Sequence, residues 1–289
     1  MYTTKLPKIF FCGPSLTALD FMRDLISLHP DAFISEHRNY KFLIDKKRYN
    51  QELPLYSQQY KAASPDQKSV EFSDHYLSFS KDWARRLETI HSFHLKELRF
   101  VIVLKNPFLV FSERVLDKRN EGQDLYVEQI FGRETDSFIK EELRNYNLDN
   151  LFLYPSLVSD HIKHLLSRFN RNQFTFITER ELMGSTQTFM NKLTHFLGLS
   201  PFLLGQEHHE IFGKEKPDEI DGYWKASNAD SFTFYSNLSD EVKARLNDYY
   251  HKEIKELGQL IDINLNAWFD PKFQSKPASF LSGFGFLNF

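Results

Sequence analysis

Cysteine is almost absent from this chain of 289 residues. The single Cys12 excludes an intrachain disulfide and points to a reducing compartment. Long apolar runs are missing too. The opening segment MYTTKLPKIFFCG holds an apolar run of only about five residues, short of the ~7–15 of a signal-peptide core. No stretch approaches the roughly 18 apolar residues that cross a bilayer. The expectation is a soluble, cytoplasmic protein without a membrane span. There is no basic excess, since the formal net charge is −3. A nucleic-acid binder with a basic face is therefore not expected, although a local basic pocket for one anionic ligand remains open. GxxxxGK[ST], GxGxxG and GxSxG are all lacking. No Lys or Arg occurs between Lys8 and Arg23.

What is present is enough apolar residue, 41%, for a sizeable core, with 26% charged residues. Phenylalanine is abundant at 29 residues, many of them in strand-like runs such as KIFFC and QFTFI. The tail SFLSGFGFLNF sets Phe among Gly and Ser, where a disordered terminus would be polar. It is expected to dock on its own domain or on a second copy of the chain.

Strand and helix signals alternate along the chain. Strands are expected at Lys8–Cys12, Ala32–Ser35, Lys68–Ser73, Phe100–Leu104 and Gln173–Thr178. The β-branched run FVIVL is what a strand buried on both faces requires. Helical spacing follows Gly13-Pro14-Ser15, where Leu19, Met22, Leu25 and Ile26 recur, and ends at Leu28-His29-Pro30. Trp83–Ile90, His161–Phe169, Leu193–Leu199 and a long stretch from Ser239 are also helical in pattern. Thr17-x-x-Asp20 reads as a capping box with Asp in place of Glu. Glu121–Asn150 is polar with weak periodicity, either a lid or a helical pair. The pattern implies an α/β fold: a three-layer, P-loop-like domain over residues 1–289 with a central parallel sheet and a Phe-rich tail from about residue 270. Its ligand crevice should lie at the carboxyl ends of the strands, near Gly13–Thr17, Ser35–Asn39, Ser73–Tyr76 and Lys105–Ser112.

Several segments, in order, resemble the sulfotransferase family, particularly its carbohydrate-acting branch. FFCGPSLTALDFMRDLISLHP has the strand–loop–helix–HP layout of the family's donor-binding loop. EFSDHYL resembles its E-K-S-P-x-Y segment, and VIVLKNPFLVFS its strand ending in R-N-P followed by Ser. SRFNRNQFTFITEREL with LTHFLGL, and the closing helix with NLNAWF, complete the similarity from about Lys8 to Trp268.

The resemblance implies transfer of a sulfonate from 3′-phosphoadenosine-5′-phosphosulfate (PAPS) to a hydroxyl or amine of a carbohydrate or small metabolite. It assigns Gly13, Pro14, Ser15, Leu16 and Thr17 to the 5′-phosphosulfate, where N–H groups at a helix N-terminus hold anions. Lys105 and Ser112 would hold the 3′-phosphate, helped by Lys214 and Lys216. Glu36 and His75 are the candidate bases. The departures are local. Leu16 stands at the family's cation, Ala18 at its glycine, and Leu19 and Asp20 at its threonines. Arg38 or Asn39 stands near its glutamate base. Lys105 replaces an arginine, losing the bidentate fork, and the loop to Ser112 is one residue shorter. Val158 stands at a family tyrosine, with Tyr154 one turn earlier. His161-x-x-His164 and Glu207-His208-His209-Glu210 lack a convincing third ligand, so no metal is expected. Two alternatives stay open: a non-catalytic relative that uses the fold for binding or scaffolding, and a different P-loop-like nucleotide binder.

Overall fold

The computed structural model describes residues 6–36, 41–120, 157–178, 181, 186–204 and 229–269. The Phe-rich tail, the 121–150 segment, Arg38, Asn39, Tyr154, Lys214, Lys216 and the 207–210 segment lie outside them.

Five strands form one parallel sheet: β1 (Ile9–Cys12), β2 (Ala32–Ile34), β3 (Lys68–Ser73), β4 (Arg99–Leu104) and β5 (Phe174–Thr178), in the order β2-β3-β1-β4-β5. β1, first in the chain, is central. Ile9 pairs with Val70 on one side and with Arg99 on the other. The chain adds β2 and β3 on one side of β1 and then crosses to add β4 and β5. That reversal makes the carboxyl end of β1 the switch point where such sheets bind ligands. The three-layer α/β arrangement with a central parallel sheet expected from the sequence is therefore the one observed.

Alternation along the strands divides the core into two layers. Ile9, Phe11, Val101 and Val103 face one side with helices α1 (Leu16–Ser27) and α7 (Thr186–Leu197). Phe10, Cys12, Phe100, Ile102 and Leu104 face the other, against α4 (Ser80–Ile90), α5 (Pro107–Asn120), α6 (Ser159–Arg168) and α8 (Asp240–Ile261). Two short helices, α2 (Lys46–Gln51) and α3 (Leu53–Gln58), precede β3, and residues 229–236 are also helical.

Local chemistry explains the joints. His29 Nδ1 accepts from the Asp31 N–H at 3.1 Å, so its Nε2–H donates to the Ser200 carbonyl at 2.9 Å. The His-Pro pair is thus a clasp between α1 and the loop after α7. Gly198 ends α7 with φ +63, as a helix-terminating glycine does. Glu253 of α8 receives the Ser159 N–H and hydroxyl, each at 2.7 Å, and so caps α6 from another helix. Ser15, not Thr17, caps α1: its side chain accepts from the Ala18 N–H. The capping-box reading of Thr17 and Asp20 is corrected accordingly, because Thr17 already lies inside the helix.

Candidate active site

The carboxyl ends of β1, β2, β3 and β4 bring most of the expected site residues to one edge. Gly13 follows β1 and packs against β4. A Cβ there would lie 2.2 Å from the Val103 carbonyl oxygen, so only glycine allows this approach. Pro14 and the buried Ser15 complete the turn, and α1 begins at Leu16, which is 39% exposed. Asp20, half-buried, lies one turn along α1.

Lys105 directly follows β4 and is only 3% exposed. Its ammonium lies 2.8 Å from Glu113 Oε2 and 3.5 Å from Ser15 Oγ. Glu113, on α5, was not singled out from the sequence, yet it organises the site. One of its oxygens accepts from the Thr17 N–H at 3.2 Å and the Thr17 hydroxyl at 2.8 Å. The Ser15 hydroxyl lies 2.8 Å and 3.1 Å from its two oxygens. Burial alone would raise the Glu113 carboxyl. The Lys105 ammonium, with hydrogen bonds from Lys105, Thr17 and Ser15, outweighs it and holds the group below the ordinary carboxylate range. Ser112 is wholly buried and its hydroxyl donates to the Phe108 carbonyl at 2.9 Å, within its own helix.

A second cation also went unsingled in the sequence. Arg114 donates to the Pro14 carbonyl at 3.1 Å and to Asp74 Oδ2 at 3.0 Å. Asp74 Oδ1 is 3.5 Å from His75 Nε2. That oxygen accepts no hydrogen bond, and the contact is an ion pair only when the imidazole is protonated. Arg114 therefore ties the donor-type loop to the β3 loop that carries His75. Glu36 is exposed just beyond β2. Near it, Arg23, Ser35, Tyr60 and Glu71 line a small hollow. Glu71 is buried and receives the hydroxyls of Tyr56 and Tyr76. Burial, opposed by these two hydrogen bonds, moves its carboxyl up to about 7.

Among the described residues no group of three or more His, Cys, Asp or Glu could hold a metal ion. His161 packs with Nδ1 3.2 Å from the Ser80 hydroxyl, and burial lowers its pKa to about 4. No described helix is long and apolar enough to cross a membrane.

No family model matches the chain. The human bifunctional heparan sulfate N-deacetylase/N-sulfotransferase 2 is 20% identical over 270 residues, covering 89% of this chain and 30% of that protein. The chain thus spans about a third of that relative's length. Among solved structures, a sulfotransferase from Alicyclobacillus acidocaldarius superposes with a TM-score of 0.69 at 16% identity, over 91% of this chain and 99% of that one. Mouse sulfotransferase SULT7A1 complexed with PAP superposes at 0.52 and 12% identity, covering 89% of this chain and 88% of that one. With the strand order, the loop after β1 and Lys105 after β4, these likenesses give the chain the sulfotransferase fold.

Proposed function

We propose that the chain is a PAPS-dependent sulfotransferase acting on a hydroxyl or amine of a carbohydrate or small metabolite. The observation that carries this reading is a cluster of oxyanion donors at the sheet's switch point: Ser15, Thr17 and the buried Lys105. The mouse neighbour, whose structure contains PAP, supports a nucleotide of this kind. The human relative, an N-sulfotransferase by name, supports a carbohydrate acceptor.

In the proposed reaction the acceptor oxygen or nitrogen bonds to sulfur as the bond from sulfur to the bridging phosphate oxygen breaks. 3′-Phosphoadenosine-5′-phosphate (PAP) leaves, and the acceptor proton passes to a base. Gly13–Thr17 would cradle the 5′ group through N–H groups and hydroxyls, and Gly13 lets the loop sit against β4. Lys105 and Ser112 are assigned to the 3′-phosphate, with Lys214 and Lys216 as further candidates. Glu36 and His75 remain the candidate bases, since both follow strands that end at this edge. Arg114 and Asp74 would hold His75 in place.

One observation favours a second reading, a non-catalytic binding or scaffolding protein: Glu113 already engages the oxyanion donors. Calorimetric titration with PAP, paired with an assay of labelled sulfonate transfer from PAPS to a panel of sugars and amines, separates the two. Binding with transfer is expected. Absence of both would leave the scaffold reading.

A further inference from the structure

The donors grouped at the end of β1 already serve an anion, and it belongs to the chain itself. Glu113 lies on α5, 98 residues from Ser15 in sequence, and its carboxylate reaches across the crevice to that loop. Three residues converge on its two oxygens. The Ser15 hydroxyl lies 2.8 Å from one, the Thr17 hydroxyl 2.8 Å from the other, and the Lys105 ammonium also approaches to 2.8 Å. The Thr17 N–H adds a contact at 3.2 Å. These are the lengths at which N–H and O–H groups hold a phosphate or sulfate oxygen. Each hydroxyl has one proton to give, and Thr17 one backbone N–H. The two hydroxyls and the Thr17 N–H cannot serve Glu113 and an incoming oxyanion together, and the Lys105 ammonium, with three protons, would have to be shared between two anions. A second anion beside an intact carboxylate would also meet like-charge repulsion in a site where water screens little.

Building on the donor reading above, we infer that Glu113 is an internal competitor for the donor: its carboxylate holds Ser15, Thr17 and Lys105 where a phosphate or sulfate oxygen would sit, and an anion enters only by displacing it. Glu113 thereby sets the charge that the site accepts. The charge of the ammonium that would attract a phosphate is already met, and the loop's hydroxyls are already engaged by Glu113. Leu16, at the position where the family resemblance expects a cation, adds no charge to offset this. The consequence is weak donor affinity in the native chain and a gain when Glu113 is made neutral.

The test uses the full chain, Glu113→Gln, and the double variant Lys105→Met with Glu113→Gln. Inorganic sulfate and PAP are titrated separately by calorimetry, and melting is followed with and without sulfate. Glu113→Gln is expected to bind both probes at least tenfold more tightly than the native chain, and the double variant to lose that gain. If Glu113→Gln is poorly stable, sulfate should restore its melting temperature but not that of the double variant. A Glu113→Gln protein that neither binds sulfate more tightly nor is restored by it overturns the inference. Tighter sulfate binding without any PAP binding by either protein would uphold the competitor and sink the donor reading. Tight PAP binding by the native chain, unchanged in Glu113→Gln, would do the reverse.

Discussion

Two buried carboxylates flank β1, and their pKa values are displaced in opposite directions. On the β4 side, Glu113 meets the Lys105 ammonium and the donors of the β1 loop, and its pKa falls. On the β3 side, Glu71 accepts from the hydroxyls of Tyr56 and Tyr76, with no ammonium bonded to it among the described residues, and its pKa rises to about 7. Both accept hydrogen bonds from hydroxyls, and both are removed from water. The cation makes the difference. Two hydroxyl hydrogen bonds do not offset the desolvation of Glu71, whereas the Lys105 ammonium, together with the donors of Thr17 and Ser15, does so for Glu113. Cys12 lies at the end of β1. Burial and, after it, the nearby Glu71 push its thiol well above the ordinary value, so it stays protonated.

The largest expected effect comes from removing the cation. Lys105→Met leaves Glu113 buried without its partner and should cost about 3–5 kcal/mol of stability. Adding Glu113→Gln to it should recover most of that loss, because an uncharged pair no longer carries an uncompensated charge. Denaturant unfolding of the three proteins checks this, and a double variant no more stable than Lys105→Met would break the account. Glu71 should respond to pH instead. Its folded pKa, about 7, lies above the ordinary 4.5. The folded state therefore binds the proton more tightly, and stability is lost as pH rises from about 4.5 through 7, then levels off. The loss is worth roughly 3 kcal/mol. Glu71→Gln should be free of it, matching the native chain near pH 4.5 and surpassing it at pH 8. Parallel stability profiles would show that Glu71 is not the group responsible.

Gly13→Ala acts on one side only. Its Cβ would push the β1 loop away from the Val103 carbonyl, at roughly 1–3 kcal/mol. The Glu113 contacts should loosen while the pH dependence due to Glu71 stays. A changed pH profile in this variant would mean the two carboxylates are coupled through β1. The smallest effect is expected for Ser15→Ala, which removes the cap of α1 and one donor to Glu113. A loss of about 1–2 kcal/mol is expected by thermal melting. A loss as large as that of Lys105→Met would assign the hydroxyl, rather than the cation, the leading role.

The sheet was largely legible in the sequence. Most strands were readable because buried parallel strands are short apolar runs, as in FVIVL, while β3, KSVEFS, showed only Val70 and Phe72 and rested on its place in the alternation. Gly13, Ser15 and Lys105 were found because they follow such runs. Glu113 and Arg114 were missed because they sit in FLVFSERV, where α5 itself went unread. Asn106 and Pro107 supplied a start signal, since Pro is favoured in the first turn. The Asn106 side chain indeed accepts from the Phe108 N–H at 3.1 Å. No spacing rule links Glu113 to Ser15 across 98 residues. α2 and α3 escaped for another reason. Each is six residues long, and between them only Tyr56 is buried, so neither carries a helical stripe. Ser15 was placed in the loop correctly and shared the capping reading with Thr17, but the capping box was read at Thr17 because Thr-x-x-Asp fits the pattern two residues later.

The central position of β1 also governs the order of events during synthesis. Among the five strands it is translated first, yet it takes the middle place. Its first neighbour, β3, lies about 60 residues downstream, where Ile9 meets Val70, and its second about 90, where Ile9 meets Arg99. At roughly 5–20 residues per second, the ribosome needs about 3–12 s to deliver β3. Through that interval IFFC has both hydrogen-bonding edges open, and α1 covers one face at most. A nascent chain arrested before residue 68 should therefore recruit holdase chaperones, and one extended past residue 104 should release them.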